Sequence, residues 1–320
     1  MRDARRSCGR GERAARNDGL PLMTPPPQRR DGLPLAAGRV ASPPDADLRE
    51  KERAENFPVA LRILPRRYQV HLRALYDVAR VIDDLGDEAS GDRTELLTAF
   101  RSDLDGIWLG HPPSTPVLRR LAVTVRACEL DREPFDRLVA ANLQDQAASR
   151  YATYADLAHY CTLSADPVGR VVLKIFTSST PRNIELSDRI CTALQLVEHW
   201  QDVAEDRVAG RIYLPQEDLE AHGVAETDLD RAVATPAVRQ LMAFETARAA
   251  DLLDSGTPLV ARLRGWARLA VAGYVAGGRA AIDAISRVDH DVLAGTPRPR
   301  RRDVATHLAG LLGHRRRGAT

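Results

Sequence analysis

The stretch Asp83-Asp84-Leu85-Gly86-Asp87-Glu88 closes a long apolar run that begins near Pro65. Asp83 and Asp87 are four apart, so a helix puts both on one face. Continued backwards, Tyr76, Arg80, Asp83 and Asp87 fall at spacings of 4, 3 and 4, a single helical stripe. Leu72, Leu75, Val78, Ala79 and Ile82 surround that stripe with apolar surface, which predicts a buried helix. The acids then face a cavity, where unpaired carboxylates are costly unless a cation holds them. Such a helix needs a partner elsewhere in the chain.

The partner is a second stripe. Cys191, Gln195, Glu198, Asp202 and Asp206 are spaced 4, 3, 4 and 4, and Leu194, Leu196, Val197, Trp200 and Val203 surround them. The pattern predicts a helix from Ser187 to about Ala209, stopped by Gly210. Two buried helices of this design, facing each other, make a carboxylate-lined cavity. Hard oxygen ligands at one end of an apolar cavity suit Mg²⁺, which bridges to a diphosphate and neutralises it as it leaves. The apolar remainder suits a hydrocarbon chain and shields a carbocation from water. Arg80 and Arg211 are candidates to receive the diphosphate through charge-assisted hydrogen bonds. One acidic cluster alone is ordinarily a solvated helix face; two in matching apolar settings are a stronger signal. A di-iron carboxylate bundle wants Glu-x-x-His pairs, and Glu198-His199 does not have that spacing.

The rest of the chain reads as all-α, a single helical domain of about ten helices joined by short Pro/Gly turns around a central cavity. Residues 1–47 are a low-complexity, disordered tail, or a start extended upstream with translation from Met23 or later; a partner-binding tail is the functional alternative. Residues 48–297 form the catalytic domain, and 298–320 a basic tail that frays. Asp47 caps a short helix that Asn56-Phe57-Pro58 ends. Further helices run from Thr94 to about Leu109, from Thr115-Pro116 to Cys128, and from Pro134 to about Ser149. Thr153-Tyr154-Ala155-Asp156 is a capping box, and Ser164 to Gly169 a small-residue kink that lets another helix or a ligand approach. Thr235-Pro236 and Thr257-Pro258 each open a helix, the last running to about Val292. The chain shows no period-2 strands and no Gly-rich phosphate loop.

A net charge of +2 with interspersed signs argues against a nucleic-acid partner. The cysteines are scattered, with no CxxC pair, which fits a reduced cytoplasmic setting and no metal–thiolate site. No apolar run reaches the roughly 18 residues that span a bilayer, so the expectation is a protein at most peripheral to the inner face of a membrane. His71, His159 and His199 read as packed or surface histidines rather than ligands. Trp200 reads as core or cavity wall, and Cys161 and Cys191 as small core fillers. Tyr213 either reaches over the diphosphate or anchors its loop. Arg150 and Arg170 serve either diphosphate or structural ion pairs.

With these motifs in order, the chain resembles the squalene/phytoene synthase family, and within it the bacterial hopanoid-pathway hydroxysqualene synthase branch. The resemblance spans about Glu55 to Arg300. It rests on Glu55-Asn56-Phe57-Pro58-Val59-Ala60, Arg80 to Glu88, Arg150-Tyr151, Tyr160-Cys161, Ser164 to Arg170, Leu194-Gln195-Leu196, Trp200 to Asp206 and Gly210 to Pro215. It implies an isoprenoid synthase fold with two Asp-rich Mg²⁺ sites, Asp83 with Asp87 and Asp202 with Asp206, holding two or three ions. It further implies diphosphate or cavity contacts from Arg80, Tyr160, Gln195, Glu198, Arg211 and Tyr213. The implied substrate is presqualene diphosphate and the product hydroxysqualene, with diphosphate released, no NADPH needed, and coupling to other hopanoid-pathway enzymes. The alternatives are a complete squalene or phytoene synthase acting on farnesyl or geranylgeranyl diphosphate, and a non-catalytic assembly factor of the same fold. The sequence departs from the family pattern at three places. Glu198 stands where many relatives have Asn, the Ser/Lys contacts of carotenoid-type members are absent near Glu55-Asn56-Phe57, and Ala280 falls where those members often have Tyr.

Overall fold

A computed structural model describes residues 64–313, and among these every regular element is helical. The first helix, α1 (Arg66–Asp87), begins immediately after Pro65 and buries Leu75, Val78, Ile82 and Leu85. α2 (Arg93–Leu109), α3 (Pro116–Cys128) and α4 (Glu133–Asp145) pack around it. Their starts follow local chemistry: the Asp92 and Thr115 side chains accept from the backbone N–H three residues on, satisfying donors that the helix leaves open. α5 (Tyr154–Ser164) starts at the expected capping box, where Thr153 and Asp156 satisfy each other's backbone N–H.

The small-residue stretch after Tyr160-Cys161 is a helix break. α5 ends at Ser164 and α6 (Asp166–Ile175) follows. Gly169 on α6 lies where a Cβ would come within 2.5 Å of both Cys191 Sγ and Ser187 Oγ. The close approach anticipated here is therefore that of another helix, α7 (Pro181–Gln201). α7 is the hub of the second half, in contact with α5, α6, the long α10 (Pro236–Gly256) and α12 (Gly265–Arg287).

Four expectations about helix extents need correction. The predicted helix 187–209 starts earlier, because Thr180 caps it and Pro181 takes the first turn. It also splits at Asp202 into α7 and the short α8 (Val203–Val208). The loop after α12 pins both sides of that bend: Gln201 Nε2 donates to the Pro297 carbonyl, and Thr296 Oγ1 to Glu205 Oε1 at 2.6 Å. The helix predicted from Thr257-Pro258 to Val292 breaks where Leu263 and Arg264 are extended, giving α11 (Pro258–Arg262) and α12. Arg301–Gly313, expected to fray, is a helix, α13, on α12. Its Leu308, Leu311 and Leu312 pack on the core, a gain the basic composition conceals. The predicted cap at Asp47 and the Glu55-to-Ala60 motif lie outside the described residues.

Among the described residues no helix is long and apolar enough to cross a membrane. Beyond Gly210, α9 (Gln216–Ala221) joins α10 through one ionic cluster. Arg248 forks onto Asp218 at 2.8 and 3.2 Å and reaches Glu245 at 3.3 Å, with its guanidinium 4.2 Å from the Tyr154 ring centre. Glu245 is fully buried. Burial, then its hydrogen bond with Asp218, pushes its carboxyl up to about 8.

Two predictions follow from this packing. Gly86 lets α1 approach α4 so closely that a Cβ there would run into Asn142. Gly86→Ala should lower the unfolding free energy by about 1–3 kcal/mol, and less in an Asn142→Ala background, as measured by denaturant titration. The second concerns Glu245. Its folded pKa is raised, so its contribution is fully present below the unfolded carboxyl range and is lost as pH rises through about 8. Glu245→Gln stays neutral throughout, so its melting temperature should rise relative to the unsubstituted protein between pH 6 and pH 9. Parallel melting curves would contradict the assignment.

Candidate active site

The end of α1 and the α7–α8 bend carry the two acidic motifs, and one ion pair joins them. Arg211, just past Gly210, donates from Nη1 to Asp87 Oδ1 at 2.7 Å. Gly210 supplies the left-handed turn, φ +85°, that brings the chain off α8. The Arg211 N–H donates to the Asp206 carbonyl at 2.9 Å. The second motif is thereby held against the first across 124 residues of sequence.

Within the first motif the adjacent aspartates separate by role. Asp84 is buried and pairs with Arg80 Nε at 3.0 Å, and Arg80 Nη2 reaches Glu88 at 3.2 Å. Arg80, expected to meet a diphosphate, therefore spends its charge on acids of its own segment in this state. Asp83 and Asp87 face outward. Asp83 Oδ1 accepts from Asn142 Nδ2 at 3.1 Å. Desolvation pushes its carboxyl up to about 6, against the opposing pull of Asn142 and Arg80.

In the second motif Asp202 is half-buried, and its carboxyl is also pushed up to about 6, by desolvation and then by Glu205 and Asp206. Asp206 faces His199, with Nδ1 to Oδ2 at 3.8 Å. His199 is packed, as expected of it, but its neighbours are site residues. Its Nε2 lies 3.1 Å from Gln195 Nε2, and its ring stacks on Tyr213 at 3.7 Å and 14°. Tyr213 is thus an anchor of its loop and a wall of the site at once. A small cavity of about 10 Å³, room for about one water, lies here, lined by His199, Asp206, Tyr213 and the apolar side chains of Val203, Ile212 and Leu229. Glu198 is exposed on the same helix. Arg150 and Arg170 are structural: Arg150 forks onto Glu226 at 2.8 and 2.9 Å, and Arg170 onto Asp188 at 3.1 and 2.7 Å.

Three participants escaped the sequence reading. Asn142 holds Asp83. Asp145, one turn on, accepts from Tyr160 Oη at 2.6 Å. Its carboxyl is pushed up to about 6, chiefly by desolvation, and lies within the fields of Arg211, Asp87 and Asp206. The third is His199. Asn142 and Asp145 share the α4 face of Leu138 at spacings of 4 and 3, a third polar stripe that an otherwise ordinary amphipathic pattern hides.

The donor set is all carboxylate oxygen, which matches Mg²⁺ rather than a softer metal. Among the described residues no three His, Cys, Asp or Glu converge as a closed cage. Mg²⁺ takes one or two carboxylates and completes its shell with water and substrate phosphate, so paired aspartates fit it.

Known proteins resemble the chain in sequence and in fold. Residues 51–305 match the squalene/phytoene synthase family model. The hydroxysqualene synthase of Rhodopseudomonas palustris is 34% identical over 66% of this chain and 72% of its own. The presqualene diphosphate synthase of the same organism is 34% identical over 54% of this chain and 62% of its own. The crystal structure of squalene synthase HpnC from Alicyclobacillus acidocaldarius superposes with a TM-score of 0.71 at 39% identity, covering 77% of this chain and 94% of that one. From the acidic motifs, their mutual placement and these likenesses together, the chain belongs to the squalene/phytoene synthase family of enzymes.

Proposed function

We propose that this enzyme converts presqualene diphosphate and water to hydroxysqualene and inorganic diphosphate, in a Mg²⁺-dependent reaction. The observation that carries the reading is the Arg211–Asp87 pair, which sets Asp83 and Asp87 beside the segment of Asp202 and Asp206. The similarity to a hydroxysqualene synthase gives the reaction its direction. Asp83, Asp87, Asp202 and Asp206 are the residues that would hold Mg²⁺. When bound, the metal supplies positive charge that neutralises the departing diphosphate.

The protein's own part is binding, charge placement and shielding. Arg211 sits at the junction of the two motifs, and Arg80 at the mouth of the first, as donors to phosphate oxygens. Binding a diphosphate lets each exchange a carboxylate partner for a phosphate one. Tyr213 lines the cavity beside Asp206, Gln195 meets His199 there, Tyr160 packs against Tyr213, and Glu198 lies exposed on the same helix as Gln195. The carbon–oxygen bond breaks with its electron pair going to diphosphate, and the carbocation is captured by water. The acids serve as metal ligands, not as general bases. No reductant enters this balance, so the reaction proceeds without NADPH. Substrate and product both carry a long hydrocarbon chain, so the protein would work peripherally at the inner face of a membrane, beside the enzymes that supply and consume these lipids.

Product analysis tests the reading. Presqualene diphosphate with Mg²⁺ should give hydroxysqualene and diphosphate. Squalene or phytoene from farnesyl or geranylgeranyl diphosphate alone would establish the complete head-to-head synthesis instead. Asp83→Asn and Asp202→Asn should each cut turnover by at least roughly 100-fold while the circular dichroism spectrum stays unchanged. Near-normal turnover in either variant would remove that residue from the metal site.

A further inference from the structure

The acidic motifs close α1 and α7, and the opposite ends of these helices carry the opposite charge. α1 and α7 start side by side. Tyr68 in the first turn of α1 packs on Phe176, ring centres 4.8 Å apart, and Phe176 closes α6 just before α7 begins. α3 runs antiparallel to α1, joined to it by His71 and Thr124 at 3.0 Å and by Arg120 and Asp77 at 3.1 Å. The last turn of α3, with Arg126, therefore reaches the start of α1. Arg262 in α11 donates to Asn183 Oδ1 in the first turn of α7 at 2.8 Å, which brings Arg264 and the start of α12 to the same end. α7 is 21 residues long, so this end lies roughly 30 Å from Asp202. Arg66, Arg67, Arg126, Arg262 and Arg264 are exposed there, and none pairs with a carboxylate among the described residues. Of the acids beside these helix ends, Asp131 pairs with Lys174, Glu133 with Arg137, and Glu185 with Arg182 and Arg189. Glu129 is left exposed against five arginines. Trp266, in the first turn of α12, is 37% exposed in their midst. The net charge of the whole chain is only +2, so the two ends represent charge separated along the molecule rather than an overall excess.

We propose that this basic end is the surface that docks on an anionic lipid bilayer, with the arginines on the lipid phosphates and Trp266 at headgroup level. The inference rests on the lipid reaction proposed above for its reason to visit a bilayer; the charge separation stands without it. An unpaired arginine near an anionic leaflet is attracted by about 1 kcal/mol, and an exposed tryptophan is the side chain that settles at a membrane–water boundary. The same field repels the acidic end, so a bilayer of this charge sets the orientation as well as the affinity. It decays within a Debye length, about 8–10 Å. The acids, roughly 30 Å away along α7, therefore stay in water, where Mg²⁺ and diphosphate are also most stable.

The test sediments the full chain with vesicles of phosphatidylcholine alone and with vesicles of equal parts phosphatidylcholine and phosphatidylglycerol. The unsubstituted protein should bind the anionic vesicles, lose that binding as salt is raised, and stay in solution with the neutral ones. Arg67→Gln combined with Arg264→Gln should weaken the binding by at least about tenfold. Both side chains are exposed, so the double variant keeps its fold. Tryptophan emission should shift to the blue on anionic vesicles, and Trp266→Phe should abolish the shift, because Trp200 is fully buried and Trp108 packs on the core. Equal binding to neutral and anionic vesicles, or unchanged binding by the double variant, would overturn the proposal. Binding to native membranes but to neither vesicle, lost when the membranes are treated with protease, would assign this end to a protein partner and overturn it equally. Turnover of detergent-dispersed presqualene diphosphate should be the same in all these variants. Failure of the unsubstituted protein to make hydroxysqualene in detergent would sink the reaction proposed above, and is read separately from sedimentation.

Discussion

The Arg211–Asp87 ion pair is the contact on which the site depends. Each acidic motif by itself is a set of mutually repulsive carboxylates on the rim of a helical core, with desolvation pushing up one carboxyl in each, Asp83 and Asp202. Arg211 reaches one motif with its side chain and the other with its backbone N–H. It sets their spacing and offsets their charge at the same point. A guanidinium suits this task because it donates from several directions at once and does not lose its charge. What remains unbalanced on the acids is what a divalent cation and a diphosphate would complete.

Around that contact the helices place side chains by close approach rather than by bulk. Gly86 brings α4 onto α1, so that Asn142 reaches Asp83. Gly169 brings α6 onto α7 at Ser187 and Cys191. The aromatic group of Tyr151, Tyr160, His199 and Tyr213 fills the space between α4, α5 and the turn after α8. Stacked rings contribute about 0.5–1.5 kcal/mol per pair beyond their burial. They also fix phenol and imidazole orientations, which matters more for chemistry than for stability.

The sequence made the local chemistry readable. Thr115, Thr153 and Thr235 cap where a hydroxyl before Pro or an apolar run says they should, and the two acid stripes stand out because period and apolar setting coincide. What stayed hidden was long-range. Nothing near Arg211 says that it meets a residue 124 positions away. The bend at Asp202 is invisible in a continuous helical pattern because a loop from beyond α12 holds it. α13 has the composition of a tail, and only its packing on α12 makes it a helix. His199 was read from its own helix face, whereas its role comes from Tyr213 and Asp206 on the next segment.

The central claim is that the four aspartates form one site that takes diphosphate only together with Mg²⁺. Calorimetric titration of inorganic diphosphate into the full chain, with and without Mg²⁺, addresses it directly. The account predicts saturable binding in Mg²⁺ that weakens by at least about tenfold, about 1.4 kcal/mol, in its absence. Equal affinity with and without the metal would contradict it.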